Sequence, residues 1–216
     1  MTAKSLQIAA ITPAQAKAFG GLVPDLIRAT GPVSYDYQFG AGSGLLDRVV
    51  LASWPVADTL FAAACTTVAT DGEELLGLEL GFEGPNFYRF KDNLVALAGR
   101  LIAQGVVTFD ELKGLGDRAE TASYLNAHVP EGVYYLHALS TPERHRGKGA
   151  GKALLAAAID RARTAGYREL QLDVLADNPA VGFYQANGLR ILAETRSPEL
   201  SRDHGFPSEL RMAVTL

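Results

Sequence analysis

The stretch "HRGKGAGKALL", His145 to Leu155, sets glycines at 147, 149 and 151 among the basic residues Arg146, Lys148 and Lys152, then runs into an apolar segment. Before it, "GVYYLHALS" reads as a strand. After it, in "AGKALLAAAIDRARTAG", Ala150, Leu154, Leu155, Ala158, Ile159 and Ala162 share one helical face and Gly166 is the stop. A strand that turns through glycines into a helix gathers free backbone amides at the helix's positive end, which makes an anion site. Spacing sorts such sites. A P-loop needs glycine five positions before the Gly-Lys pair and a hydroxyl after it, whereas Arg146 stands five before Gly151 and Ala153 follows Lys152. A dinucleotide fingerprint needs Gly or Ala three residues after its second glycine, where this chain has Lys152 or Leu154. The pattern that fits is Arg-x-x-Gly-x-Gly, with Arg146, Gly149 and Gly151. A plain strand-to-helix reversal also uses glycines, so this pattern needs a companion.

Downstream, "YRELQLDVLADN" alternates Leu170, Leu172 and Val174 as a strand, "DNP" opens a short helix "PAVGFYQANG" ended by Gly188, and "LRILAETR" and "SELRMAVTL" read as closing strands. Upstream, Ser5 to Thr12 suits an opening strand, followed by a helix started at Pro13, interrupted near Pro24 and stopped at Gly31. "PVSYDYQFGAGSG" fits neither period and reads as a loop exposing Tyr35, Tyr37 and Phe39. A helix follows around Leu45 to Ser53, then a hairpin turning at Asp71-Gly72 with Leu76, Leu78 and Leu80 on one face. From Gly84 to His128 the pattern is helical, with Leu94, Leu97, Ala98, Leu101 and Ile102 on one stripe and a cap at Thr108. No repeat or low-complexity tract interrupts the chain.

The loop and the later segment "NPAVGFYQANGL", in the order strand, loop, helix, strand, short helix, resemble the GNAT superfamily of acyl-CoA-dependent N-acyltransferases, whose pyrophosphate motif is (Gln or Arg)-x-x-Gly-x-(Gly or Ala). The specific resemblance spans Tyr135 to Leu189. Upstream only the element order and the hairpin agree. Leu189 stands where the family usually has Phe, and Pro142 lies at an unusual place in the loop. Neither departure removes a functional atom. The resemblance implies one α/β (α+β) domain over residues 1–216, with a central mixed β-sheet, helices on both faces and a helical insertion at about 84–130.

It also implies acetyl-CoA as co-substrate, in a cleft between splayed parallel strands "YYLHALST" and "ELQLDVLA". The pyrophosphate would lie on Arg146, Gly147, Lys148, Gly149, Ala150, Gly151 and Lys152. Leu139, Ser140 and Thr141 would offer backbone groups to the pantetheine, as an added strand does, and Asn178 completes the cofactor-binding set. Arg146 and Lys148 are equally readable as solvated loop cations. The family's usual general acid falls on Tyr184, which read by itself is equally a packed aromatic beside Phe183. A backbone amide at or near Leu139 would face the developing oxyanion.

Acylating an amine also requires removal of a proton, since an ammonium is mostly unreactive at neutral pH. Strand alternation sets Tyr135, His137 and Leu139 on one face, and "YLHALST" resembles the strand of arylalkylamine N-acetyltransferases that carries two histidines as H-L-H-A-L. His137 matches the second, and Tyr135 replaces the first. A neutral histidine can relay a proton, and a strand histidine can equally be only a core residue. His145 reads as exposed, and Glu79 and Glu83 are reserve bases. The acceptor site would be built from the Tyr35 to Phe39 loop, the Phe82 to Phe90 stretch and the helical insertion.

Composition limits the alternatives. With 216 residues, 48% hydrophobic and 20% charged, the chain can bury a real core. A net charge of -4 gives no cationic excess for nucleic acid. Cys65 is the only cysteine, excludes an internal disulfide and reads as a packed thiol. The four histidines lack metal-ligand spacing. No run approaches the roughly 20 apolar residues of a membrane span, and a cytoplasmic protein is expected. The expected partner is a small-molecule or peptide amine acceptor, with no nucleic acid, no membrane and a homodimer left open. The competing reading is a non-catalytic acyl-CoA-binding sensor of the same fold.

Overall fold

The computed structural model describes residues 5–216. Strand β1 (Leu6–Ala10) leads into α1 (Pro13–Phe19), where Thr12 and Gln15 form a reciprocal capping box and Pro13 fills the first helical turn. Helix α2 (Val23–Arg28) follows, and then α3 (Pro32–Phe39) occupies the segment expected to be an aromatic loop. The helix signals were boundaries. Pro32 sits in the first turn, where its missing N–H costs nothing, and Gly40 ends the helix at φ +81°, a conformation glycine adopts without strain. Its aromatics face inward: Phe39 is buried, Tyr35 packs on the same core, and Tyr37 meets Phe206 edge-on at 5.3 Å.

After α4 (Leu45–Ser53), strands β2 (Thr66–Asp71) and β3 (Glu74–Glu83) form the expected hairpin. Its register shifts after Ala69, where Leu76 is the extra residue on β3. That bulge turns Leu76 to the opposite face from Leu78 and Leu80, which join Leu75 in the main core. Three helices connect β3 to the next strand: α5 (Asn86–Ala96), α6 (Ala98–Ala103) and α7 (Phe109–Ala122). Thr108 caps α7 in a second capping box with Glu111, and Arg48 pairs with Glu111 at 2.6 Å to fasten α7 to α4. Of the expected stripe, Leu97 and Leu101 are buried while Ile102 is 37% exposed.

Strand β4 (Tyr134–Ser140), helix α8 (Ala150–Thr164), strand β5 (Glu169–Leu175), helix α9 (Ala180–Ala186), strand β6 (Arg190–Thr195), helix α10 (Pro198–His204) and strand β7 (Glu209–Thr215) complete the chain. They form one seven-stranded mixed sheet in the order β1-β2-β3-β4-β5-β7-β6. Helix α8 covers one face of it, and α2 and α5 lie against the other. Leu154 and Leu155 are fully buried beneath α8, each contributing about 1.5–3 kcal/mol of burial.

Every neighbouring strand pair is antiparallel except β4 and β5. Those two pair only at Tyr134↔Leu170 and Tyr135↔Gln171, and then separate. From Leu136 onward β4 has β3 on one side only, so its other edge lines a fork in the sheet. Among the described residues no helix is long and apolar enough to cross a membrane.

Candidate active site

A cleft of about 800 Å³ occupies the fork. Its lining comes from residues 29–33, 136–152 and 172–187. Among the sequence-predicted residues it takes in His137, Leu139, Ser140, Thr141, Arg146, Gly147, Gly149, Ala150, Gly151, Lys152, Asn178 and Tyr184. Lys148 is exposed and outside the lining.

The glycine loop builds one end. Gly147 and Gly149 adopt φ +75° and +87°, and Gly149 is the N-cap of α8 without any side-chain cap. The first bond of that helix runs from Ala153 N–H to the Gly149 carbonyl, which leaves the preceding turn's amides free to meet an anion. Arg146 folds back, its Nε donating to the Thr141 carbonyl at 3.3 Å, so its charge is held at the mouth of the loop. His145 is buried rather than exposed, with Nε2 3.0 Å from Glu74 Oε1. It ends the short 3-10 turn Glu143–His145 and also lines the cleft.

The middle of the cleft is shaped by a bulge. Pairing passes from Leu80↔Ala138 to Gly81↔Leu136, so His137 is the extra residue on β4. A bulge re-aims a side chain and leaves its own residue outside the ladder. It also breaks the expected alternation: Tyr135 belongs to the main core, whereas Leu139 packs toward α8 on the opposite face. The His137 ring is surrounded by Phe61 and Phe82 at 5.8 Å, Tyr135 at 6.3 Å and Phe87 at 6.4 Å. Burial pushes the imidazole down to about 4, and its Nε2 is buried with no hydrogen-bond partner. The ring is therefore neutral at physiological pH.

On the opposite wall, Tyr184 is buried from α9, and burial raises its phenol well above the ordinary value, so it stays protonated. Asn178 uses both ends of its amide: Oδ1 accepts from Ala180 N–H at 2.9 Å, and Nδ2 donates to the Thr30 carbonyl at 3.0 Å. It thus caps α9 and ties the α2–α3 turn over the cleft.

Both reserve carboxylates lie elsewhere. Glu79 is fully buried on the α8 side, ion-paired to Arg161 and pushed up to about 7 by burial. Glu83 is exposed beside Tyr167. Neither lines the cleft, and neither do Tyr35 to Phe39, Phe82 to Phe90 or the helices of 84–130. The lining from the N-terminal half is the turn Ala29–Val33 instead.

One buried network was not anticipated. Asp173 lines the cleft and takes bonds from Arg211 Nε and Nη2 and from Tyr135 Oη, the last two at 2.8 Å. Arg211 and Asp173 side chains are 5% and 9% exposed, a pairing that offsets the cost of burying both charges. The signal available was two opposite charges inside apolar strands, "LQLDVL" and "ELRMAV", which alternation alone assigns to solvent. Cys65 is half-buried against the core, and burial pushes its thiol up to about 11. Among the described residues no three His, Cys, Asp or Glu side chains converge as a metal site.

Residues 87–189 match the model of the acetyltransferase (GNAT) family. No curated protein matches the chain in sequence. Among solved structures, an N-acetyltransferase from Staphylococcus aureus Mu50 superposes with TM-score 0.68 at 15% identity, over 96% of this chain and 100% of that one. A crystal structure of an acetyltransferase gives 0.66 at 19% identity over 97% and 98%. The NatC complex bound to Gag peptide and CoA gives 0.54 at 14% identity over 98% and 99%. At these identities the likeness is one of fold.

Proposed function

We propose that the chain, whose residues 87–189 match the acetyltransferase (GNAT) family and whose fold is that of solved acetyltransferases, is an acyl-CoA-dependent acyltransferase that moves an acetyl group from acetyl-CoA to a primary amine of a small molecule or peptide by direct attack on the thioester. The observation that carries this reading is the meeting, in one cleft, of the free amides at the start of α8, the one-sided edge of β4 and the buried hydroxyl of Tyr184.

Those residues fit the cofactor. Amides from Gly147 to Lys152, at the positive end of a fifteen-residue helix, suit a diphosphate, and the positive φ of Gly149 turns the chain so that they converge. The edge of β4 at Leu139 to Thr141 offers backbone groups to the pantetheine amides. When bound, the thioester supplies an activated acyl group; the protein supplies alignment and proton handling.

Tyr184, held neutral by burial, donates its proton to the departing sulfur. His137, neutral and lining the cleft, accepts a hydrogen bond from the amine at Nδ1, its Nε2 being buried; a ring held to about 4 passes the proton on to solvent in the open cleft rather than keeping it. The bulge at His137 frees a backbone amide beside the same place, suited to the developing oxyanion. Asn178 acts by holding the cleft wall.

The test is to mix purified protein with acetyl-CoA and a panel of primary amines and follow free thiol release. Amine-dependent release supports the transferase reading. Tight acetyl-CoA binding without turnover on any amine would replace it with the sensor.

A further inference from the structure

Strands β4 and β5 must stand apart by a set distance for anything to lie between them, and main-chain pairing stops at Tyr135↔Gln171. Immediately past that point a side-chain link crosses the fork: Tyr135 Oη donates to Asp173 Oδ2 at 2.8 Å. Asp173 cannot shift freely, because Arg211, its register partner on β7, grips the same carboxylate. Arg211 is itself fixed, donating to Gln171 Oε1 at 2.9 Å, the His128 carbonyl at 3.0 Å and the Ala127 carbonyl at 2.6 Å, with its guanidinium 5.7 Å from the centre of the Tyr135 ring.

We propose that Tyr135, Asp173 and Arg211 form a positioning brace that fixes the spread of the two strands and so preorganises the cleft for its acyl-CoA. This rests on the cofactor reading above. None of the three is a catalytic residue; they act through the strands. The bonds that Tyr135 and Arg211 make to Asp173 end on a carboxylate in a dry setting, where charge-assisted bonds are strongest, and a groove already held at its bound width loses less freedom when the ligand enters. Tyr135 is suited to this role because its hydroxyl reaches Asp173 from a ring wedged between Phe82 and Phe87.

The experiment measures coenzyme A binding by calorimetry, kinetics with acetyl-CoA, and the urea midpoint for wild type, Tyr135→Phe, Asp173→Asn and the double variant. Tyr135→Phe keeps the packed ring and is expected to weaken coenzyme A binding and raise KM for acetyl-CoA by about tenfold, the scale of one charge-assisted hydrogen bond, with kcat changed less than about twofold. Asp173→Asn is expected to do more, and the double variant no more than Asp173→Asn alone. A bond that merely stabilises the sheet would lower the urea midpoint and leave Kd and KM unchanged, which overturns the brace. Additive losses in the double variant overturn it as well. Wild-type protein that fails to bind coenzyme A would overturn the cofactor reading and the brace together, whereas wild-type binding with an unaltered Tyr135→Phe would overturn the brace alone.

Discussion

Asn178 and Thr30 lie 148 positions apart in sequence and are joined by a 3.0 Å hydrogen bond from Nδ2 to the main-chain carbonyl, while the other end of the same amide caps α9. One side chain thereby joins the first helices of the chain to the segment that carries Tyr184. Removing it breaks two functions that are separable. Asn178→Ala should cost about 2 kcal/mol, roughly 1 for the cap and 1 for the tie, and weaken acetyl-CoA binding as the wall loosens. Asn178→Ser keeps an oxygen for Ala180 N–H, is too short to reach Thr30 and adds no charge. It should recover about half of the lost stability in urea titrations while binding remains weak. Full recovery of binding by Ser would show that the tie is irrelevant to the cleft.

Tyr184→Phe should lower kcat by about a hundredfold, the lower range for losing a general acid. Packing around the ring is retained, so coenzyme A affinity should stay within about twofold. Because burial raises the phenol well above its ordinary value, it remains a donor across the physiological range, and no alkaline loss of activity below about pH 10 should disappear in the variant. Wild-type turnover by Tyr184→Phe would make this residue a packed aromatic beside Phe183.

The strands, the hairpin, the glycine loop and both helices that flank the cleft were legible because each is written locally: a period, a cap or a turn dipeptide. The bulges in β3 and β4 were not. Leu76 and His137 each occupy an extra position that no alternation pattern contains, so alternation puts Leu76 on the wrong face and Leu139 on the same face as Tyr135. Alternation alone places Asp173 and Arg211 toward solvent, because the partner that neutralises each lies on another strand. Helix α3 was hidden by its own boundaries, glycine and proline being read as loop when they were marking its two ends.

His137 gives the protein an acid-sensitive stability. Burial lowers its folded pKa from 6.5 to about 4, so between those values the unfolded chain binds a proton that the folded one refuses. The stabilising contribution is whole above pH 6.5 and is lost as pH falls toward 4, to a limit of about 3 kcal/mol. Glu79 and Glu209, whose carboxyls burial pushes up to about 7 and about 8, change stability in the opposite sense over the same range, so the expected outcome is relative: from pH 7 to pH 5 the urea midpoint of the wild type should fall against that of His137→Phe. The same variant should lower kcat/KM for the amine, since the imidazole acceptor is gone. A wild-type pH dependence unchanged by His137→Phe would place the acid-sensitive group elsewhere.

The loop's charge preference is best tested at Gly149, whose φ of +87° makes any side chain strained although no atom lies within 4 Å of where a Cβ would stand. Asn and Asp tolerate this conformation better than most residues, and are nearly the same shape. Both substitutions should therefore cost a similar amount of stability, about 1 kcal/mol. Their binding should diverge. Gly149→Asn, neutral, should bind coenzyme A within about threefold of wild type, while Gly149→Asp brings a carboxylate to amides placed for a diphosphate and should weaken binding more than tenfold, on the scale of two like charges near 5 Å at a protein surface. Raising the ionic strength should narrow the gap between the two variants and leave the Asn value nearly unchanged. Equal losses for Asp and Asn would mean that the loop contributes through backbone shape alone and that the bound group there is not an anion.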